Sequence, residues 1–164
     1  MDEWFVTAVE QHGPDIHAYL SRRSQVADDL LGEVWVTAYA ARSTYDSTVG
    51  PPRAWLFGIA RNVLHTYYRK HRLATTVVRL FGIDRPADET AAVDARLDAA
   101  ALAPALRAAI ADLPPPEREL LLLIAWENLT PTEAAQVLNI PPGTARSRLH
   151  RAGQRLTLRE EADR

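Results

Sequence analysis

Apolar positions recur along this chain at helical spacing, and no stretch shows the alternation of a half-buried strand. Trp4, Phe5, Ala8 and Val9 form one stripe that Ile16, Tyr19 and Leu20 continue, and Gly13 with Pro14 predicts a bend or interruption between the two groups. A second helix is predicted over 24–41, with Leu30, Leu31, Val34, Trp35 and Ala38 on its inner side. Asp28 and Asp29 fall in its early turns, where negative charge suits the macrodipole. A polar loop with two prolines follows over 43–52, then a third helix over 53–72 whose core stripe is Leu56, Ile59, Ala60, Val63 and Leu64. The regularity fades beyond 73, where Gly82 and Pro86 punctuate the chain and acids replace bases. An alanine-rich helix is predicted over 91–112, with Pro104 as a kink or boundary, and Pro114, Pro115 and Pro116 separate it from another over 117–126. The expected fold is all-α: two small helical domains over 1–72 and 93–164, joined by a linker over 73–92.

The C-terminal domain carries the clearest local grammar. Thr130 is a good N-cap, and Pro131 takes the first helical position, where its missing N–H leaves nothing unpaired. Glu133 stands where a capping box needs it. Ala134, Val137 and Leu138 make the inner face of this short helix, Asn139 can adopt the left-handed conformation that ends it, and Pro141 and Pro142 restart the chain. The next helix opens with Thr144, Arg146, Ser147 and Arg148, carries Arg151 and Arg155 one and two turns later, and has Leu149, Ala152 and Leu156 spaced to hold it down. A short capped helix, a tight turn and a basic second helix make a helix-turn-helix, whose second helix enters the major groove. Arg146 and Arg148 suit base edges, with Thr144 and Ser147 beside them, while Arg151 and Arg155 suit phosphates. Small Ala145 and Ser147 would let the backbone approach the duplex. A helical hairpin with a solvated basic face would share the composition; the co-occurrence of cap, turn and basic helix favours DNA.

Charge extends this picture to the other half. The net charge is only −2, yet no acid occurs from 47 to 83, where Arg53, Arg61, Arg69, Lys70, Arg72 and Arg79 lie, and none from 134 to 159. Two basic blocks on a slightly acidic chain point to two contacts with a polyanion, two solvated helix faces being the plainer alternative. In the first block Trp55, Tyr67, Tyr68 and Asn62 interleave with the bases, a mixture suited to single-stranded DNA, in which cations follow phosphates and rings stack on exposed bases. Trp55, Leu56 and Ile59 serve equally well as core, and Trp55 is expected to support the preceding loop from beneath.

Other chemistry is thinly represented. The absence of cysteine excludes disulfides and thiol catalysis, and fits a reducing compartment. His12, His17, His65, His71 and His150 lie on separate segments without metal-ligand spacing, and there is neither a glycine-rich phosphate loop nor a GxSxG nucleophile, so no enzyme, cofactor or metal is expected. No apolar run reaches membrane-spanning length and the start of the chain lacks a signal peptide's basic residues, so a cytoplasmic protein with no membrane partner is expected.

The run DDLLGEVWVTAY from Asp28 and the run RAWLFGIARN from Arg53 resemble region 2 of extracytoplasmic-function (ECF) sigma factors. The run LPPPERELLLL from Leu113, the helix-turn-helix and the run GTARSRLHRA from Gly143 resemble region 4. The resemblance covers nearly the whole chain and is not shared by Gly32, where the family often has glutamine. It implies a protein that binds core RNA polymerase and directs promoter recognition and DNA opening; a stand-alone helix-turn-helix regulator is the alternative. Asp29, Leu30, Glu33, Val34 and Trp35 would dock on the polymerase. The loop over 43–52 and Arg53, Arg61, Asn62, His65, Arg69 and Lys70 would read and melt the minus-ten element as single-stranded DNA. Thr144, Arg146, Ser147, Arg148, Arg151 and Arg155 would read the duplex minus-thirty-five element. The acidic linker would mimic RNA in the polymerase cleft, and an anti-sigma factor is implied as a further partner.

Overall fold

The computed structural model describes residues 2–71 and 103–162, and all regular structure among them is helical. Helix α1 spans Glu3–Arg23 with Pro14 inside it, so the chain is not interrupted at Gly13 and Pro14. Pro14 lies on the solvent side of the helix, where water can satisfy the carbonyl that loses its amide partner, while Ile16, Tyr19 and Leu20 are buried on the other side and dock the second half on the core. Helix α2 spans Ala27–Ala41 and buries Leu30, Val34 and Ala38. A 3₁₀ turn over Arg42–Thr44 leads into the loop, and α3 spans Pro52–His71. Its buried side includes Leu56, Phe57, Ala60, Val63 and Leu64; Phe57 lies edge-on to Tyr19 with ring centroids 5.5 Å apart. Burial pushes the Tyr19 phenol up to about 12, with the Arg23 guanidinium opposing, so the ring stays neutral within the core.

In the second half, α4 spans Ala103–Ala111 with Pro104 in its first turn, α5 spans Pro115–Ala125, α6 spans Pro131–Leu138 and α7 spans Pro142–Ala162. The expected linker over 73–92, its acidic run and the first part of the alanine-rich helix lie outside the described residues. None of the described helices is long and apolar enough to cross a membrane.

Local signals in α6 resolve in detail. The Thr130 side chain accepts a hydrogen bond from the Glu133 amide at 3.1 Å, but the Glu133 carboxylate turns toward Arg53 of α3, 3.7 Å away, so only half of the capping box forms. Asn139 is left-handed at φ 53°, and the Ile140 and Asn139 amides reach back to the Ala135 and Gln136 carbonyls, a Schellman closure. Thr130→Ala should lower stability by about 1 kcal/mol in urea titration, with no loss beyond that expected because Glu133 does not depend on the cap.

The halves do not stand apart. Helix α3 packs on α6 as well as on α1 and α2, and α5 and α6 both pack on α7. Leu120, Leu123, Leu129, Ala134, Ala135, Val137 and Ala145 join the buried residues of α1–α3 in one apolar cluster.

Candidate nucleic-acid interface

Helix α7 is held to the fold by Ala145, Leu149 and Ala152, one face at helical spacing. Ala145 is completely buried in that face, so it does not lie on the exposed side of the helix as expected from its size; neighbouring Arg146 and Ser147 do. Arg146 and Ser147 are exposed, and Thr144 and Arg148 are half-buried beside them. Arg151 and Arg155 approach the buried carboxylate of Glu117 on α5, at 3.8 and 3.1 Å, yet each keeps more than half its side chain in water. The pairing braces α7 against α5 and leaves both guanidinium groups able to meet a phosphate.

The first basic block divides in two. Asn62, Arg69 and Lys70 are exposed on α3. Arg53 and Arg61 instead face the C-terminal half, and His65, itself exposed, lies at the edge of that contact. Arg61 forks the Glu119 carboxylate, with Nε and Nη2 donating at 2.5 and 3.1 Å. His65 Nε2 lies 3.8 Å from the same carboxylate, and its pKa is lowered by desolvation and by the Arg61 charge, so near neutral pH it is an uncharged partner rather than a cation. Arg53 donates to the backbone carbonyls of Asn128, at 3.2 Å, and Glu127.

The loop before α3 is built from its own side chains. Asp46 Oδ1 accepts from the Thr48 amide at 2.8 Å and from its hydroxyl at 2.6 Å, and these bonds hold the Asp46 carboxyl below its usual range. Tyr45 donates to the Gly50 carbonyl at 3.1 Å and stacks on Trp4 of α1 with centroids 4.6 Å apart, while Trp55 lies tilted against it at 5.6 Å. The tip over 47–49 stays exposed.

The expected polymerase-docking residues on α2 separate by face. Asp29 and Glu33 are exposed and Trp35 is half-buried, but Leu30 and Val34 lie in the core because they share the inner stripe with Ala38; they support the surface without forming it. Exposed Val36 and Tyr39 extend that surface into an apolar groove with Val6 and Val9 of α1, which the reading of the sequence did not include.

It also missed the acids that bind the two halves. The Glu127 side chain is 2% exposed and accepts from Arg22 at 2.9 Å and Arg23 at 2.8 Å. The Arg23 guanidinium lies over the Tyr19 ring at 4.0 Å and faces Trp126 at 5.6 Å. Glu119 and Glu127 bracket the apolar run over 120–126, and Glu127, buried as it is, must find partners.

Known proteins agree with this architecture. Residues 8–74 match the family described as Sigma-70 region 2, and residues 104–156 match that described as Sigma-70, region 4. The ECF RNA polymerase sigma factor SigM of Bacillus subtilis (strain 168) is 30% identical over 152 residues, covering 87% of this chain and 86% of the relative. The ECF RNA polymerase sigma factor SigC of Mycobacterium tuberculosis (strain CDC 1551 / Oshkosh) is 33% identical over 165 residues, covering 98% and 84%. In fold, the chain is similar to CnrH as solved in complex with the cytosolic domain of CnrY, with a TM-score of 0.63 and 24% identity over 98% of this chain and 89% of that one. It is also similar to the sigma factor RpoE of Bartonella quintana in complex with the anti-sigma factor NepR, with a TM-score of 0.62 and 24% identity over 98% of both chains. With two sigma regions in order and relatives of this kind along nearly its full length, the chain belongs to the ECF family of RNA polymerase sigma factors.

Proposed function

We propose that this protein binds core RNA polymerase through the exposed side of α2, reads the upstream promoter element with the opening turns of α7 and holds the melted strand along α3. The single observation that carries the reading is the presence of both sigma regions on one chain, each with an exposed polar or cationic surface on the helix that would meet DNA. A stand-alone helix-turn-helix regulator would leave residues 8–74 without a role. Asp29 and Glu33, with Trp35, Val36 and Tyr39 beside them, offer an acidic and apolar surface suited to a protein partner. An anti-sigma factor is a further partner consistent with the family. Purified chain and core polymerase should co-elute on gel filtration, and Asp29→Arg should weaken the complex without changing helical content. A folded chain that does not co-elute at micromolar concentration would refute the reading.

On DNA, the two sets of α7 residues should behave differently. Arg146→Ala should cost about 1–3 kcal/mol and relax preference at one base pair. Arg151→Ala should weaken binding to all sequences alike and flatten the salt dependence. Because Arg151 also braces Glu117, circular dichroism must first show the helix content unchanged. Identical profiles across a set of promoter variants would show that this division of roles is wrong.

A further inference from the structure

We infer, resting on the reading of α7 as the helix that meets the upstream duplex, that Glu117 limits the phosphate contacts of that helix: it yields one of its two arginine partners to DNA and keeps the other.

The arginines of α7 are unevenly paired. Within the helix no acid precedes Glu160, so only another element can temper its charge. Arg151, Arg155 and Arg159 recur every fourth residue along one edge, and each has an acid opposite: Glu117 for the first two, at 3.8 and 3.1 Å, and Asp112 for the third. Among the described residues no such ion pair engages Arg146 or Arg148 in the opening turns. The helix therefore offers full cations where base edges would be read and tempered ones further along.

Burial decides how far the tempering goes. Glu117 is 5% exposed, whereas the Arg151 and Arg155 side chains are 53% and 57% exposed. An exposed guanidinium parts readily from a carboxylate. A buried carboxylate that loses all its cations is left as an uncompensated charge. Glu117 has little else to rely on: its Oε2 accepts no hydrogen bond among the described residues, and the first turn of α5 adds only the partial positive charge of a helix start. Loss of one arginine to a phosphate thus costs little, and loss of the second costs much more. Arg151, the more distant partner and the nearer to the opening turns, is the one that leaves; Arg155 stays. Glu117 acts through these two side chains as a positioning residue, and the three groups together offer DNA one phosphate contact instead of two. Phosphate contacts hold every sequence alike, so the restraint lowers binding away from the promoter and leaves the base-reading positions untouched.

A short fluorescein-labelled duplex of mixed sequence, titrated with the full chain over a range of salt, tests this. Glu117→Gln should bind about fivefold more tightly, with a log–log salt slope steeper by about 0.9, the value of one further phosphate contact. Glu117→Asp, which keeps the charge, should stay near wild type. Arg155→Ala should bind more weakly than wild type, because Glu117 then holds Arg151; adding Glu117→Gln should restore wild-type affinity. Helical content by circular dichroism should be unchanged throughout, and if Glu117→Gln does not fold, Glu117→Met, uncharged and of similar length, takes its place. A folded, uncharged variant with wild-type affinity and slope, or a double variant no tighter than Arg155→Ala alone, overturns the inference. Discrimination among upstream promoter variants by wild-type holoenzyme tests the underlying reading separately. Its absence would remove the promoter-reading role of α7, while the mixed-sequence duplex would still decide the part played by Glu117.

Discussion

Holoenzyme carrying Asn62→Ala together with Arg69→Ala should bind duplex promoter DNA and core polymerase normally, yet fail to open the promoter. Both residues are exposed on α3, and neither is an interdomain partner of the kind Arg61 is, so the substitutions act on DNA and leave the contact with Glu119 in place. Extruding a base from the stack costs a few kcal/mol, which contacts to the freed strand must offset. A hydrogen-bonded base edge and a neutralised phosphate contribute about 1–3 kcal/mol each, so losing both shifts the opening equilibrium roughly thirty-fold or more. Permanganate reactivity on duplex templates should fall accordingly. A template with a pre-formed bubble, which removes the cost of unpairing, should restore much of the transcription. Unchanged opening on duplex DNA would return this face of α3 to a merely solvated role.

The second large effect is on stability. Phe57 is fully buried, packs edge-on against Tyr19 and lies under the Arg53 guanidinium at 5.8 Å. Phe57→Ala should cost about 3–5 kcal/mol, a large share of the roughly 5–15 kcal/mol that holds an ordinary domain together. Because the apolar cluster runs from α1–α3 into α5 and α6, the loss should be felt in both halves. Urea unfolding followed by tryptophan emission and by amide exchange should give one transition whose midpoint falls for both. Loss confined to the first half, with the second unfolding at its wild-type midpoint, would show that the cluster does not transmit stability between them.

How far the sequence could be read depended on the range of the interaction. Thr130, Pro131 and Asn139 act on backbone groups within four residues, and each does what its chemistry predicts. The inner stripe of α2 was equally visible, but treating Leu30 and Val34 as contact residues confused membership of a motif with membership of a surface; the spacing with Ala38 already placed them inward. Pro14 does not interrupt α1, because water can replace the lost hydrogen bond on its exposed side and the buried residues beyond it anchor the helix to the core. The pairing of Arg61 with Glu119 spans 58 residues, and that of Arg22 with Glu127 spans 105. No local periodicity encodes such a match. The basic blocks were legible as a surplus of charge, but which arginines meet protein and which meet water is decided by the packing of α3 on α6.

The contact between the halves has a consequence for anyone who would exchange them among relatives. A chimera that joins this N-terminal half to a foreign C-terminal half must supply an acid opposite Arg61, a buried carboxylate opposite Arg22 and Arg23, and a side chain at 136 that fits over Gly50. A graft lacking the buried carboxylate would leave Arg23, 6% exposed, as an uncompensated charge. Interchange of promoter-reading parts in this protein is therefore constrained by the matching of one half to the other, as well as by the DNA that each half reads.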